Sequence, residues 1–334
     1  MIIDCHGHYT TAPPQLQRMR DRHLAGDTTA QLETISDDEL IESVEQNQLR
    51  VLEERGGDLM IFSPKASGME HHVPGTDLAR RWAQVNNDLI ARVVELVPEH
   101  FAGVAQLPQT PDGSLEASVT ELRRCVEELG FVGCNVNPDP SGGNWTGLPL
   151  TDESWFPLYE AMCELDVPAM VHVSSSCNPN FHTLGAHYLN ADTAVFMQLL
   201  QGDLFERFPT LRFVLPHGGG AAPYHWGRYQ GLATRLGLGT VEERLLDNVY
   251  FDTCVYHQPG IELLVEVVGV DNLLFASEML GAVRGENPAT GSGWDDTKRY
   301  LDALPLSEAD RQRLFEGNAR QVYPRLAKQL DEDG

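Results

Sequence analysis

The chain has 334 residues and a formal net charge of -25, with 24 Lys and Arg against 49 Asp and Glu. That excess of negative charge repels nucleic-acid phosphates and argues against such a partner, while a 42% hydrophobic content is ample for a globular core. No apolar run reaches the roughly 18 residues of a membrane span, no signal-peptide pattern opens the chain, and the cysteines lack C-x-x-C spacing; a cytoplasmic protein with reduced thiols is expected.

The first predicted element is IIDCHGH (2–8), an apolar run passing into His-x-His. In a strand, alternate side chains share a face, so His6 and His8 project the same way. A helical pattern follows in DDELIESVEQNQLRVLEERG, where Leu40, Val44, Leu49, Val51 and Leu52 form an apolar stripe and Gly56-Gly57 closes the element. Strand-like LMIFSPK (59–65), FAGVAQLP (101–108), FVGCNVNP (131–138) and PAMVHVS (168–174) come next, separated by helical patterns. LRFVLPHGG (211–219), VYFDTCVY (249–256) and LLFASEM (273–279) complete a set of eight. Strand and helix in alternation predict parallel strands covered on both faces. The expected fold is an α/β (β/α)8 TIM-like barrel in one domain, 1–334, with an open doubly wound sheet as the alternative. Residues 9–35, 65–77, 138–153 and 279–297 become extended active-face loops.

Either architecture places chemistry beyond the carboxyl ends of the strands. There the sequence delivers His6 and His8 from strand 1, His172 from strand 5, His217 from strand 6 and Glu278 from strand 8. Taken singly, each could be a structural side chain. Together, neutral imidazoles and a carboxylate make a natural site for Zn²⁺ or a similar divalent ion. Strand 4 has no lysine to bridge two metals, so one ion is expected. The His-Gly-Gly-Gly at 217–220 also occurs in lipase-like oxyanion loops, but no G-x-S-x-G accompanies it. No dinucleotide fingerprint or Walker sequence is present either.

Further groups on this rim suit carboxylates: Lys65, Ser67, His71 and His72 after strand 2; His187, Tyr188 and Asn190 after strand 5; and Arg284 after strand 8. An arginine can hold a carboxylate through two parallel hydrogen bonds. A small polycarboxylate substrate is expected.

These motifs are carried by DCHGHYTTAP, SPKAS followed by HH, NVNPDPSGGNWTGLPLTD, PAMVHVSSSCN, FVLPHGGGAAPYHWGR and FASEMLGAVRG. Through them nearly the whole chain resembles the amidohydrolase-related barrels that include metal-dependent decarboxylases of hydroxybenzoates and of aminocarboxymuconate semialdehyde. The decarboxylases end strand 8 in Gly-Ser-Asp, whereas this chain reads Ala-Ser-Glu at 276–278, which is similar to the 4-oxalomesaconate hydratase branch. The resemblance implies zinc held by His6, His8, His172 and Glu278; a further expectation is that Glu278 serves as general base toward water and that His217 assists by hydrogen bonding or proton transfer. It also implies a homo-oligomer. Cys177, His182 and His71 are open candidates for the acid that protonates carbon. Alternatives at this stage are a nonoxidative decarboxylase, a hydrolase of lactones or C-C bonds, and a noncatalytic metal or carboxylate binder.

Overall fold

The computed structural model describes all residues except 74, 112, 182–186 and 333–334. Its main sheet contains β1 (Ile3–Tyr9), β2 (Leu59–Pro64), β3 (Phe101–Gln106) and β4 (Gly133–Val136). It continues with β5 (Ala169–Val171), β6 (Phe213–Leu215), β7 (Val249–Asp252) and β8 (Leu273–Leu274). The strands lie in chain order, every neighbouring pair is parallel, and all their residues are buried. This is the expected barrel, and the doubly wound alternative fails because sequential neighbours run around the sheet without a reversal of order.

The seam between β8 and β1 closes by other means than a regular ladder. Phe275 O accepts from Cys5 N at 2.9 Å, and Glu278 N donates to His6 O at 3.0 Å. Asp4, fully buried, accepts from Ser277 N at 3.0 Å and from the Ser277 hydroxyl. Strand 8 is therefore shorter than the apolar run 273–279 suggests. Beyond Leu274 the Thr253 and Thr297 hydroxyls take over the bonding of Ala276, so this stretch is buried without pairing regularly.

The helices follow the periodicity. In Thr76–Leu96, buried Ala79, Trp82, Ala83, Asn86, Leu89, Ile90 and Val93 recur at the spacing of one helical face. The helix starting at Asp37 begins with a Ser36–Glu39 capping box but contains a π-helical turn at Glu45–Leu49. That turn brings the Gln48 amide, fully buried, to His8 O at 3.1 Å. A wide turn often marks a functional site because it re-aims one side chain. Here an apparently apolar stripe carries a polar strut beneath β1. No helix among the described residues is long and apolar enough to cross a membrane.

Candidate active site

His6 and His8 lie within β1, two residues apart, and His172 stands one residue beyond β5. Their Nε2 atoms converge: 3.0 Å from His6 to His8 and 3.3 Å from His8 to His172. The other ring nitrogen of each decides what those close approaches mean. His172 Nδ1 lies 2.7 Å from Val173 O, which can only accept, so Nδ1 carries the proton. His6 Nδ1 lies 2.7 Å from the Asp252 carboxylate, again an acceptor. His8 Nδ1 is 2.7 Å from Ser63 Oγ, whose own proton is directed to Gly7 O or Pro64 O, each at 3.1 Å. All three Nε2 atoms thus present bare lone pairs to one another.

Three lone pairs at such separations repel unless a cation lies among them. Tetrahedral zinc with Zn–N distances of about 2.0–2.1 Å would set its nitrogen ligands about 3.3–3.4 Å apart, close to the spacing seen here. Burial, together with the neighbouring imidazoles, pushes the pKa of His8 and His172 well below the ordinary value and keeps both rings neutral. The donor set therefore fits a divalent ion.

The opposite side is built by His217 and Glu278. Ligand atoms of His6, His172, His217 and Glu278 all lie within 4.8 Å of one another, and His217 Nε2 is 3.8 Å from Glu278 Oε2. Both residues hold left-handed backbone, with φ of 53° at His217 and 48° at Glu278. Such strain in residues with a Cβ concentrates at functional sites. In the glycine run after His217, a Cβ at Gly219 would meet Phe251 at 2.5 Å. The glycines thus let the loop lie against β7, and Gly218 N donates to Asp252 at 3.0 Å.

Burial opposes charge on His217, but the Asp192 carboxylate 2.9 Å from Nδ1, with Glu278 and Asp252, raises its pKa to about 9. A dication nearby would oppose that proton. At Asp252 burial also disfavours charge, yet the bonds from His6 and Gly218 hold its carboxyl below the usual range. Burial keeps Tyr256 protonated far above pH 10. Its hydroxyl donates to Ser277 O at 2.8 Å and lies 3.3 Å from Glu278 Oε2.

Above this cluster opens a cavity of about 410 Å³, whose lining includes Lys65, Ser67, Tyr188 and Arg284 with His8, His172, His217 and Glu278. The Tyr188 ring sits 4.5 Å from that of His217. Arg284 donates to Gly281 O and Leu280 O, which braces the guanidinium at the rim. Other residues expected on the rim stand elsewhere. Asn190 is exposed on the helix His187–Gln201 and does not line the cavity, because the helix turns its side chain outward. His72 also lies outside the lining, beside the Gly142 turn. Cys177 is exposed, with its sulfur near Ser141 O and Gly142 O, and His182 lies outside the described residues.

His71 is a correction of a clearer kind. It is 2% exposed and away from the cavity, with Nε2 donating to Leu107 O at 3.1 Å and Nδ1 accepting from Asn137 Nδ2 at 2.8 Å. Both ring nitrogens are committed to joining three strand ends. Burial pushes its pKa down to about 4. The unfolded chain takes up that proton near pH 6.5, so the contribution of neutral His71 is complete above that value and falls as pH drops toward 4. Denaturant titrations are expected to show the protein losing about 3 kcal/mol more than a His71→Gln variant between pH 7 and pH 4. Identical slopes would remove His71 as the source.

Asp252, Asp192, Ser63 and Tyr256 complete the site without a motif of their own. Asp252 does end β7, so the strand-end rule points to it. Asp192 sits within a helix and meets His217 only through the fold.

The sequence profile of the family described as Amidohydrolase matches residues 3–325. The 2-keto-4-carboxy-3-hexenedioate hydratase of Sphingobium sp. strain NBRC 103272 / SYK-6 is 57% identical over 338 aligned positions, covering 100% of this chain and 99% of that protein. The crystal structure of 4-oxalomesaconate hydratase from Rhodopseudomonas palustris superposes with a TM-score of 0.93 at 52% identity, covering 100% and 99% of the two chains. A dihydroxybenzoic acid decarboxylase from Polaromonas sp. JS666, solved with bound manganese, shares the fold at a TM-score of 0.69 and 22% identity, covering 97% and 96%. From the full-length match and the shared barrel, the chain belongs to the amidohydrolase family.

Proposed function

We propose that this protein is a metal-dependent hydro-lyase that adds water across the conjugated double bond of 4-oxalomesaconate, giving 4-carboxy-4-hydroxy-2-oxoadipate. The observation that carries this reading is the 57% identity to a hydratase along the entire chain. The names of the two hydratase relatives draw the double bond on either side of the carbon bearing the branching carboxylate. Hydroxyl addition to that carbon gives one product from both isomers. Decarboxylases share the barrel, but at 22% identity the Polaromonas structure supports the fold alone.

We assign His6, His8 and His172, whose Nε2 atoms converge, and Glu278, whose carboxylate lies within 4.8 Å of His6 and His172, as ligands of one divalent ion, with zinc favoured by the nitrogen spacing and donor types. The ion supplies Lewis acidity, making water more acidic or polarising the conjugated acceptor. Glu278 takes the proton from the attacking water. His217, oriented by Asp192, hydrogen-bonds the reacting groups from the other side and can hold or release a proton at Nε2. Lys65, Ser67, Tyr188 and Arg284 bind and orient the carboxylates.

The test is turnover by purified, zinc-loaded protein offered each double-bond isomer in turn, followed by loss of conjugated ultraviolet absorbance and by product mass. The expected result is a gain of one water that a chelator abolishes and zinc restores. Release of CO₂, or product formation insensitive to metal removal, would overturn the reading.

A further inference from the structure

The loop after β8 carries two non-glycine residues in left-handed backbone two positions apart, Glu278 and Leu280, with φ of 48° and 57°. Such backbone persists only where its surroundings over-determine it. Glu278 is held at the barrel seam, its N–H donating to His6 O at 3.0 Å. Leu280 is held by three other side chains. Its N–H donates to Asp295 Oδ2 at 3.0 Å, and its carbonyl accepts from Thr10 Oγ1 at 2.9 Å and from Arg284 Nη2 at 2.7 Å.

Asp295 is 5% exposed and is itself clamped. Its second carboxylate oxygen accepts from Arg55 Nη2 at 2.8 Å, and its main-chain carbonyl accepts from Arg55 Nη1 at 3.0 Å. Arg55 caps the helix that ends at Glu54, just before β2, so the pair ties the loop after β8 to a distant part of the barrel. Neither residue lines the cavity.

What this bracing fixes is the direction of Arg284, which is exposed and does line the cavity. Its Nε donates to Gly281 O at 3.0 Å while Nη2 donates to Leu280 O, so one edge of the guanidinium is spent on two adjacent carbonyls. The edge formed by Nη1 and Nη2 still offers two parallel N–H groups, the arrangement that a carboxylate takes up. A long exposed side chain otherwise samples many rotamers, and fixing it beforehand lowers the cost of binding.

We infer that Asp295, clamped by Arg55, is a positioning residue: by holding the Leu280 peptide it sets the free edge of Arg284 toward a substrate carboxylate. This rests on the carboxylate-binding role given to Arg284 above.

The experiment is a double-mutant cycle on zinc-loaded protein with Asp295→Asn, Arg284→Ala and the two combined. It measures KM and kcat for 4-oxalomesaconate, zinc content, and the affinity for propane-1,2,3-tricarboxylate by calorimetry, which needs no turnover. Arg284→Ala is expected to weaken tricarboxylate binding roughly 10-fold to 100-fold, as loss of hydrogen bonds to a charged group does, and Asp295→Asn roughly 10-fold. In Asp295→Asn the zinc content should hold and KM should rise far more than kcat falls, because Glu278 keeps its seam bond to His6 O. The double variant should bind no more weakly than Arg284→Ala alone, since Asp295 acts through Arg284. Arg55→Gln should give a smaller loss in the same direction, and it replaces Asp295→Asn in the cycle if that variant does not fold. Unchanged binding in Asp295→Asn, or a loss that adds in full to that of Arg284→Ala, would overturn the inference. An Arg284→Ala variant that binds like the wild type would remove the carboxylate role and this inference with it. Wild-type protein that binds the tricarboxylate but does not hydrate 4-oxalomesaconate or its double-bond isomer would sink the hydratase reading alone, so the failures are distinguishable.

Discussion

Glu278→Gln is expected to lower kcat by roughly 10²-fold to 10⁴-fold, the range typical of removing a positioned general base. Glutamine keeps the size of the side chain and an oxygen facing the cluster, but it cannot take a proton from water. The strained backbone at Glu278, its seam bond to His6 O and the Tyr256 hydroxyl should all tolerate this exchange. Because Glu278 is also assigned as a ligand, the assay requires excess zinc and a measured zinc content for the variant. A variant that keeps its metal and full turnover would refute the base assignment. Loss of turnover that disappears at high zinc would reduce Glu278 to a ligand.

The second large effect is expected at a residue that need not touch substrate. Asp252 accepts from His6 Nδ1, Gly218 N and Cys254 N, at 2.7, 3.0 and 3.0 Å. In Asp252→Asn the amide oxygen can still serve the two backbone donors. Its NH₂ group then faces His6 Nδ1–H, and the ring escapes this clash by moving the proton to Nε2. That tautomer removes the lone pair from the converging trio. Partners of this kind typically carry a 10-fold to 100-fold share of metal affinity. Competition for zinc against a chromophoric chelator should show such a loss, with activity partly regained at high zinc. Equal affinity in the two proteins would mean that His6 keeps its tautomer without Asp252. Asp252→Ala should in addition destabilise the fold, since it strands two buried N–H groups.

The two predictions separate residues readable in the chain from residues that only packing brings forward. Alternation of apolar runs with helical stripes is a local signal, and the period of each element follows from its own backbone geometry. For that reason the eight strands and their parallel arrangement were legible in the chain, as was the candidacy of His6, His8, His172, His217 and Glu278, which lie within β1 or in the stretches following β5, β6 and β8. Local rules could not see the π turn that buries Gln48 under His8, nor the irregular seam that shortens β8. In both cases the apolar pattern is intact while the hydrogen bonding is not.

Side chains from loops were the least legible. His71 and Lys65 come from the same connection after β2, six residues apart, and a carboxylate-binding role suits either by residue type. The fold buries His71 between Leu107 O and Asn137 and leaves Lys65 lining the cavity. Likewise Ser174 and Ser176 are identical letters, yet the first hydroxyl accepts from Asn137 and the second donates to Gly142 O. By itself the sequence determined the barrel and the family and brought forward His6, His8, His172, His217 and Glu278 as candidates, because these depend on residue type and short-range periodicity. The tertiary structure alone decided which nitrogen of each histidine bears the proton and which polar side chains remain free for a substrate, because both depend on partners supplied by distant parts of the chain, as Asp252 is to His6 and Asp192 to His217.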